Sequence, residues 1–460
     1  MRGQKNRIAA VASALAGWAI LTVAVAAEAR WPTWRGPGMT GIAEGADPPV
    51  TFGEKENLRW KVAVPGSGTS TPILWGDRLV LLTALPVSEA GGLSVGQSVQ
   101  SPLGQAPGRP PFGGKGKGKG GFGIRQPDVP YRFEVICFDR RDGKTLWRRA
   151  VREAIPHEGH HPDHGFASFS PVTDGAHLWA SFGSRGLHCL TMDGEVKWSR
   201  DFGAMTTRAS FGEGSSPALV GDAVVVLMDQ EGDSFIEAVD KATGKTIWRQ
   251  PRDEPSSWST PLAVAHGGRT EIVVNGTNRV RGYDPADGKV LWECGGQTLN
   301  VVPTPVAGFG MVFCASGFRG STLQAIELGR RGDLTGSDAV RWEIKRNTPY
   351  VPSPLLYGER LFYFSVNTPR LSCANARTGE LHFSAEDIEG MRGVYASPAG
   401  AADRVYLACR EGAVAVIRNS DRLEVLALNR LEDGFDASPA IVGNELYLRG
   451  RRHLYCFGKR

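Results

Sequence analysis

Residues 216–248 read SPALVGDAVVVLMDQEGDSFIEAVDKATGKTIW, and the order of features in this stretch sets the architecture of the whole chain. Ser216-Pro217 precedes a short apolar run, and the Gly221-Asp222 pair marks a turn. Ala223 to Met228 is then a β-branched strand, and a third strand ends at Asp240. Thr243-Gly244 makes a second tight turn before a last strand that closes on Trp248. Short strands of this composition, joined by glycine-containing turns, read as a four-stranded antiparallel meander.

The pattern recurs outward in both directions. Ser/Thr-Pro occurs at Thr71-Pro72, Ser170-Pro171, Ser216-Pro217, Thr260-Pro261, Thr304-Pro305, Ser353-Pro354, Ser397-Pro398 and Ser438-Pro439. The prolines are spaced by 99, 46, 44, 44, 49, 44 and 41 residues, a period that matches one propeller blade per repeat apart from the first gap. Turn pairs recur at Gly76-Asp77, Asp174-Gly175, Gly358-Glu359 and Gly443-Asn444. The fourth strands carry Trp147, Trp198, Trp248, Trp292, Trp342 and Phe383. Pro at the first residue of an innermost strand forfeits no ladder hydrogen bond, and the hydroxyl before it can cap a backbone group left free by the turn. The last repeat stops at Arg460 without a fourth strand, while Asn57 to Val62 precedes the first repeat and carries a blade-closing Trp60. Pairing the two closes the ring and removes the open edges. The expectation is an all-β, eight-bladed propeller of four-stranded antiparallel blades closed by an N-terminal strand, with seven blades as the alternative. Trp60, Trp147, Trp198, Trp248, Trp292 and Trp342 are expected to dock neighbouring blades together.

Residues 1–27 read as a signal peptide: Arg2, Lys5 and Arg7 precede the apolar run from Ile8 to Ala27, with small residues for cleavage. The run exceeds the ~7–15 residues typical of such a segment, so an uncleaved anchor is the alternative. The formal charge of +5 falls to about +2 without those three residues, too little for a nucleic-acid partner. The first cysteine is Cys137, so lipid attachment near the cleavage site is not expected. The mature chain is expected to be a periplasmic or secreted monomer, with 28–56 an N-terminal extension and 57–460 one propeller domain. Within it, 86–130 is an insertion in the first blade whose Gly113 to Gly121 core is too rich in Gly and Lys to bury anything. Cys137, Cys189, Cys373 and Cys456 share a third-strand position where other repeats place Ala238, Gly282 and Ala325, which argues for buried thiols rather than a disulfide frame.

Ala238 to Trp248 resembles the pyrroloquinoline-quinone (PQQ) repeat, the tryptophan-docking motif of quinoprotein dehydrogenases, as do Cys137 to Trp147 and Gly282 to Trp292. Ala374 to Phe383 departs from it at Asn375 and Phe383. Trp31-Pro32-Thr33-Trp34-Arg35-Gly36-Pro37 is similar to the start of exported bacterial PQQ-like propeller proteins. The resemblance spans nearly all of 57–460 and implies the fold. For activity it points two ways, to enzymes with PQQ and Ca²⁺ on the axis and to a non-catalytic lipoprotein of outer-membrane barrel assembly. The enzymes typically carry two adjacent cysteines against the quinone, and fused haem domains carry Cys-x-x-Cys-His; this chain has neither, nor the N-terminal lipidated Cys.

His157-Glu158-Gly159-His160-His161 satisfies H-E-x-x-H, but Pro156, Gly159 and Pro162 oppose the helix that a zinc protease needs. The run therefore reads as a polar entry loop, with a loop metal site drawn from His157, His160, His161, Asp163 or His164 as the alternative. The turns between second and third strands carry Arg185, Arg279, Arg319, Arg370, Arg410 and Arg451. These turns share a face with the loops leading into each blade, which supply Arg208, Phe211, Glu213, Trp258, Tyr350, Tyr395 and Asp436. The arginines form either a basic funnel for a carboxylate, a phosphate or an acidic surface, or local ion pairs with residues such as Glu231 and Glu411. The expected function is non-catalytic capture of a protein or anionic ligand of the cell envelope on this face, at Arg185, Arg208, Trp258, Arg279, Arg319, Arg370, Arg410 and Arg451. No catalytic residue, metal or cofactor is expected under that reading. A PQQ- and calcium-dependent oxidoreductase is the alternative.

Overall fold

A computed structural model describes residues 30–87 and 124–459. The signal segment and the Gly113–Gly121 core of the insertion lie outside the described residues. The strands form eight separate antiparallel meanders, each running from a short inner strand to an outer one, arranged as a propeller. Blade three comprises Ala218–Val220, Ala223–Met228, Ser234–Asp240 and Thr246–Arg252. The second strands carry the burial, as Ala223–Met228 is buried at all six positions because both of its faces meet neighbouring blades. In blade one, Arg78–Pro86 pairs with Tyr131–Asp139 up to Pro86 opposite Tyr131, so the insertion springs from the top of this hairpin.

Blade eight consists of Ala440–Val442, Glu445–Arg449 and His453–Gly458, and its outer strand is Leu58–Ala63, antiparallel to His453–Gly458. The ring is therefore closed by the strand that carries Trp60. Five tryptophans reach from one blade to the next. Each indole lies over the positive-φ glycine of the next blade's outer turn and donates its N–H to a carbonyl there. Trp60 bonds Arg140 at 2.9 Å, Trp147 bonds Met192 at 3.0 Å and Trp198 bonds Lys241 at 3.2 Å. Trp248 bonds Pro285 at 2.8 Å and Trp342 bonds Ala376 at 3.0 Å. The glycines are Gly143, Gly194, Gly244, Gly288 and Gly379.

Trp292 departs from this scheme. Its N–H goes to Glu271 of its own blade at 2.8 Å, and its ring covers Gly282. Blade five has no tight outer turn to receive it. Residues 328–339 make an excursion instead, and Gly332–Asp333 pairs in parallel with Val290–Cys294 on the outer edge of blade four. Trp292 nonetheless packs with Val312, Cys314 and Ile326 of blade five, so its role stays structural. The seven cysteines are buried and free, and burial pushes Cys137, Cys189, Cys373 and Cys456 up to about 12.

The Ser/Thr-Pro hydroxyls cap something other than their own turns. The amide of Thr71 donates to Ser170 Oγ at 2.9 Å, that of Ser170 to Ser216 at 2.9 Å and that of Ser216 to Thr260 at 3.3 Å. Thr260 donates to Thr304, Thr304 to Ser353 and Ser353 to Ser397, at 2.9–3.0 Å. Ser397 donates to Ser438 at 3.0 Å, and Ser438 returns to Thr71 at 3.1 Å. Eight inner strands are thus tied into one closed collar around the axis, each inner-strand amide satisfied by the neighbouring blade.

The segment before residue 57 is built into the propeller. Arg30–Trp31 adds to the inner strand of blade one, and Pro32 accepts from the amide of Thr173 in blade two. Arg35 then reaches blades six and seven, Ala43 bonds Gly400, and Asp47 bonds Gly443 in blade eight. Between Pro32 and Arg35 the chain therefore crosses the channel axis, on the face opposite the arginine turns.

Candidate functional site

The axial channel holds a cavity of about 380 Å³, within the range of small-molecule pockets. The eight collar hydroxyls line its waist and Trp34 of the crossing segment lines its far end. Its other end opens among loop residues on the arginine-bearing face. Of the residues expected around this mouth, Phe211, Trp258, Tyr350, Tyr395 and Asp436 line the cavity. Trp258 is fixed by its N–H on the Gly212 carbonyl at 2.6 Å, and Tyr350 stacks on Phe318 with ring centres 5.0 Å apart. Glu213 lies aside, bonded to Ser184 and Arg185.

Charge at the mouth is arranged in pairs. Arg410 bonds Asp163 at 2.6 Å and Asp436 at 2.7 Å, and Arg451 bonds the other Asp436 oxygen at 2.9 Å. Tyr395 donates to Asp163 at 2.9 Å and lies under the Arg410 guanidinium, 4.2 Å from its ring centre. Burial alone raises the Asp163 carboxyl, but Arg410, with Tyr395 helping, outweighs it and holds the group below its ordinary value. Burial also raises the Tyr395 hydroxyl, and Asp163 adds to the effect.

Three of the four remaining turn arginines show the same pairing. Arg185 is buried against Glu213 at 2.7 Å, Arg279 meets Asp333 at 3.2 Å and Glu293 at 3.3 Å, and Arg370 meets Asp387 at 3.2 Å. The partners are not Glu231 or Glu411. Glu231 instead accepts from Ser256. Among the described residues Arg208 and Arg319 have no ion-pair partner, and the Arg319 guanidinium lies 5.4 Å from the Phe318 ring centre. The seven arginines and one tryptophan of the expected site therefore divide. Trp258 lines the cavity and Arg410 and Arg451 bond its wall, while Arg185, Arg279 and Arg370 are engaged by carboxylates elsewhere.

The H-E-x-x-H run is not helical. Among the described residues, the histidines and acids whose ligand atoms converge are His157, Glu158 and Glu213, a different set from the expected loop site. Each already has partners: His157 Nε2 the Met205 carbonyl, Glu158 the Thr207 amide and hydroxyl, Glu213 the Ser184 and Arg185 groups. His161, Asp163 and His164 line the axial cavity instead. His164 Nδ1 lies 2.9 Å from the Gly165 carbonyl, an arrangement that puts the proton on Nδ1 and leaves Nε2 as an acceptor. Burial lowers its pKa to about 4, so the ring is neutral at pH 7.

Sequence reading missed the collar, His164 as a wall residue, and Trp34 and Arg35 at the closed end. The last two were visible as part of the Trp31–Pro37 motif, but nothing local says that the motif crosses the axis.

Residues 132–338 match the family described as outer membrane protein assembly factor BamB. Among solved structures, the chain is similar to a quinohemoprotein alcohol dehydrogenase from Comamonas testosteroni (TM-score 0.61, 11% identity, covering 94% of this chain and 81% of that one). It is similar also to BamB from Moraxella catarrhalis (TM-score 0.51, 13% identity, 73% and 96%). A third is the quinohemoprotein alcohol dehydrogenase ADHIIG from Pseudomonas putida HK5 (TM-score 0.57, 11% identity, 94% and 80%). No curated protein matches. At these identities the structural likenesses speak to the fold alone.

Proposed function

We propose that this chain, which is a PQQ-like β-propeller, is an exported, non-catalytic binding module that captures a ligand or protein partner of the cell envelope at the mouth of its axial cavity. The observation that carries this reading is the state of the carboxylates at the mouth. Asp163 and Asp436 are the acids that line the cavity, and both are held by Arg410, with Arg451 and Tyr395 completing their bonds. A carboxylate so engaged is a fixed part of a wall and a poor base or cation ligand. The aromatic rings beside it, with Arg208 and Arg319, which pair with no acid among the described residues, suit recognition of an acidic or apolar surface.

Quinone chemistry with calcium needs acidic and amide ligands on the axis. The cavity's two acids are neutralised by guanidinium groups, and the cysteines are buried within blades rather than at the mouth. These residues do not fit the group. No helix among the described residues is long and apolar enough to cross a membrane.

Calorimetric titration with PQQ, with and without Ca²⁺, is expected to give no heat that depends on Ca²⁺, whereas fluorescent poly-glutamate is expected to bind at low salt. Arg319→Ala with Arg208→Ala should weaken the poly-glutamate complex about tenfold, roughly one charge-assisted contact. Saturable one-to-one PQQ binding that requires Ca²⁺, or poly-glutamate binding indifferent to both substitutions, overturns the reading.

A further inference from the structure

The closed end of the axial cavity differs in chemistry from its mouth. Each collar hydroxyl oxygen accepts an amide hydrogen from the neighbouring blade, which leaves its own O–H free to donate. Among the described residues no protein acceptor receives any of these eight hydrogens. The Trp34 ring lines the floor, and its indole N–H is enclosed and has no acceptor among the described residues.

A positive charge lies directly behind. Arg35 is 2% exposed, and its guanidinium bonds the carbonyls of Pro354 at 2.8 Å, Pro398 at 3.1 Å and Thr40 at 3.4 Å. Those prolines follow Ser353 and Ser397 of the collar, so the cation sits one residue from two of the free hydroxyls. Among the described residues it meets no carboxylate. Burial lowers its pKa to about 9, and it is still charged at neutral pH. A buried guanidinium satisfied by carbonyl dipoles alone is expensive to desolvate, and a bound anion offsets that cost. The acids of the cavity cannot supply the balancing charge, since Arg410 and Arg451 already engage them at the opposite end.

We infer that the closed end of the channel is a subsite for the carboxylate of a small organic acid, bound by the hydroxyls of Ser353 and Ser397 and the indole N–H of Trp34, with Arg35 as its counter-charge. The apolar body of the acid then lies between Trp258 and Tyr350 toward the mouth. This deepens the capture reading by naming a ligand for the interior of the same cavity. It also accounts for an N-terminal segment that crosses the axis, where a blind, donor-lined end replaces an open channel.

The probe is benzoate, with benzamide as its uncharged isostere. Saturable one-to-one binding of benzoate is expected by calorimetry, with benzamide at least about tenfold weaker. Trp34→Phe keeps the ring and removes the donor, and should weaken benzoate several-fold while leaving benzamide unchanged. Arg35→Gln should abolish the preference for the anion; Trp34→Phe carries the test if that variant fails to fold. Equal affinity for the two probes, no saturable benzoate binding, or benzoate affinity unaltered by Trp34→Phe overturns the subsite. Poly-glutamate binding read in parallel keeps the two proposals apart. Its loss on Arg319→Ala with benzoate affinity retained supports both sites. Its indifference to the arginine substitutions sinks the mouth alone, and failure of benzoate with poly-glutamate intact sinks the floor alone.

Discussion

At Gly288 a β-carbon would lie 2.4 Å from Cε3 of Trp248, and the residue holds φ at 71°, so space and backbone both exclude a side chain there. Trp248→Ala should cost about 3–5 kcal/mol, the usual loss for a large buried aromatic. Gly288→Ala should cost about 1–3 kcal/mol through strain and contact. The double variant should lose clearly less than the sum, because removing the indole makes room for the methyl. Urea unfolding of the three variants checks this, and strict additivity would show that the pair is not in contact. The histidines set a second residue-scale behaviour. Burial lowers both His164 and His188 to about 4, below an unfolded value of 6.5. Between those values the unfolded chain binds more protons than the folded one, so stability is complete above about pH 6.5 and declines as the pH falls toward 4. Glu158, raised by burial, works in the opposite direction over part of this window. His188→Gln should flatten the decline measured by unfolding midpoints between pH 7 and 4.5, and an unchanged slope would place the effect elsewhere.

The collar is where element-scale reasoning from sequence stopped short. Ser/Thr-Pro marks each inner strand, and its Pro and its period were legible because both are local. The hydroxyl's partner was not, since the amide it caps belongs to the neighbouring blade, 41 to 49 residues away in the six of eight cases that span neither the insertion nor the ring closure. The same limit applies to charge. Arg410 could be placed on its face from the repeat, but its hold on Asp163 spans 247 residues and depends on the ring closing. Trp292 shows the converse: the motif predicted docking from a repeat average, and the excursion at 328–339 removed the receiving turn. For the collar itself, Ser216→Ala strands the buried Ser170 amide and should cost about 1–3 kcal/mol. Ser216→Thr keeps the oxygen and should be nearly neutral, since Thr71, Thr260 and Thr304 hold the equivalent position in other blades. Equal losses in the two variants would mean that the hydroxyl acts through packing rather than through its bond.

Over the whole molecule, stability depends on a ring with no free edge. Leu58–Ala63 is joined to His453–Gly458 by an antiparallel ladder, and Trp60 within it reaches Arg140 in blade one. One short strand thus completes blade eight and docks it to blade one. A chain that begins at Val64 would keep seven blades whole, but would leave His453–Gly458 as an exposed edge with its outer ladder groups unpaired. It would also remove the segment that ties blades one, two, six, seven and eight across the far face. An apolar edge of this kind recruits other chains. The shortened protein is therefore expected to self-associate in light scattering, to unfold at a lower urea midpoint and to do so over a broader transition, because blades lose the closure that makes them one cooperative unit. Trp60→Ala in the full chain separates the two roles of the strand: it should lower the midpoint by an amount similar to Trp248→Ala while the protein stays monomeric, as the ladder still covers the edge. A shortened chain that remained monomeric with an unchanged midpoint would show that the ring is held by blade-to-blade packing alone.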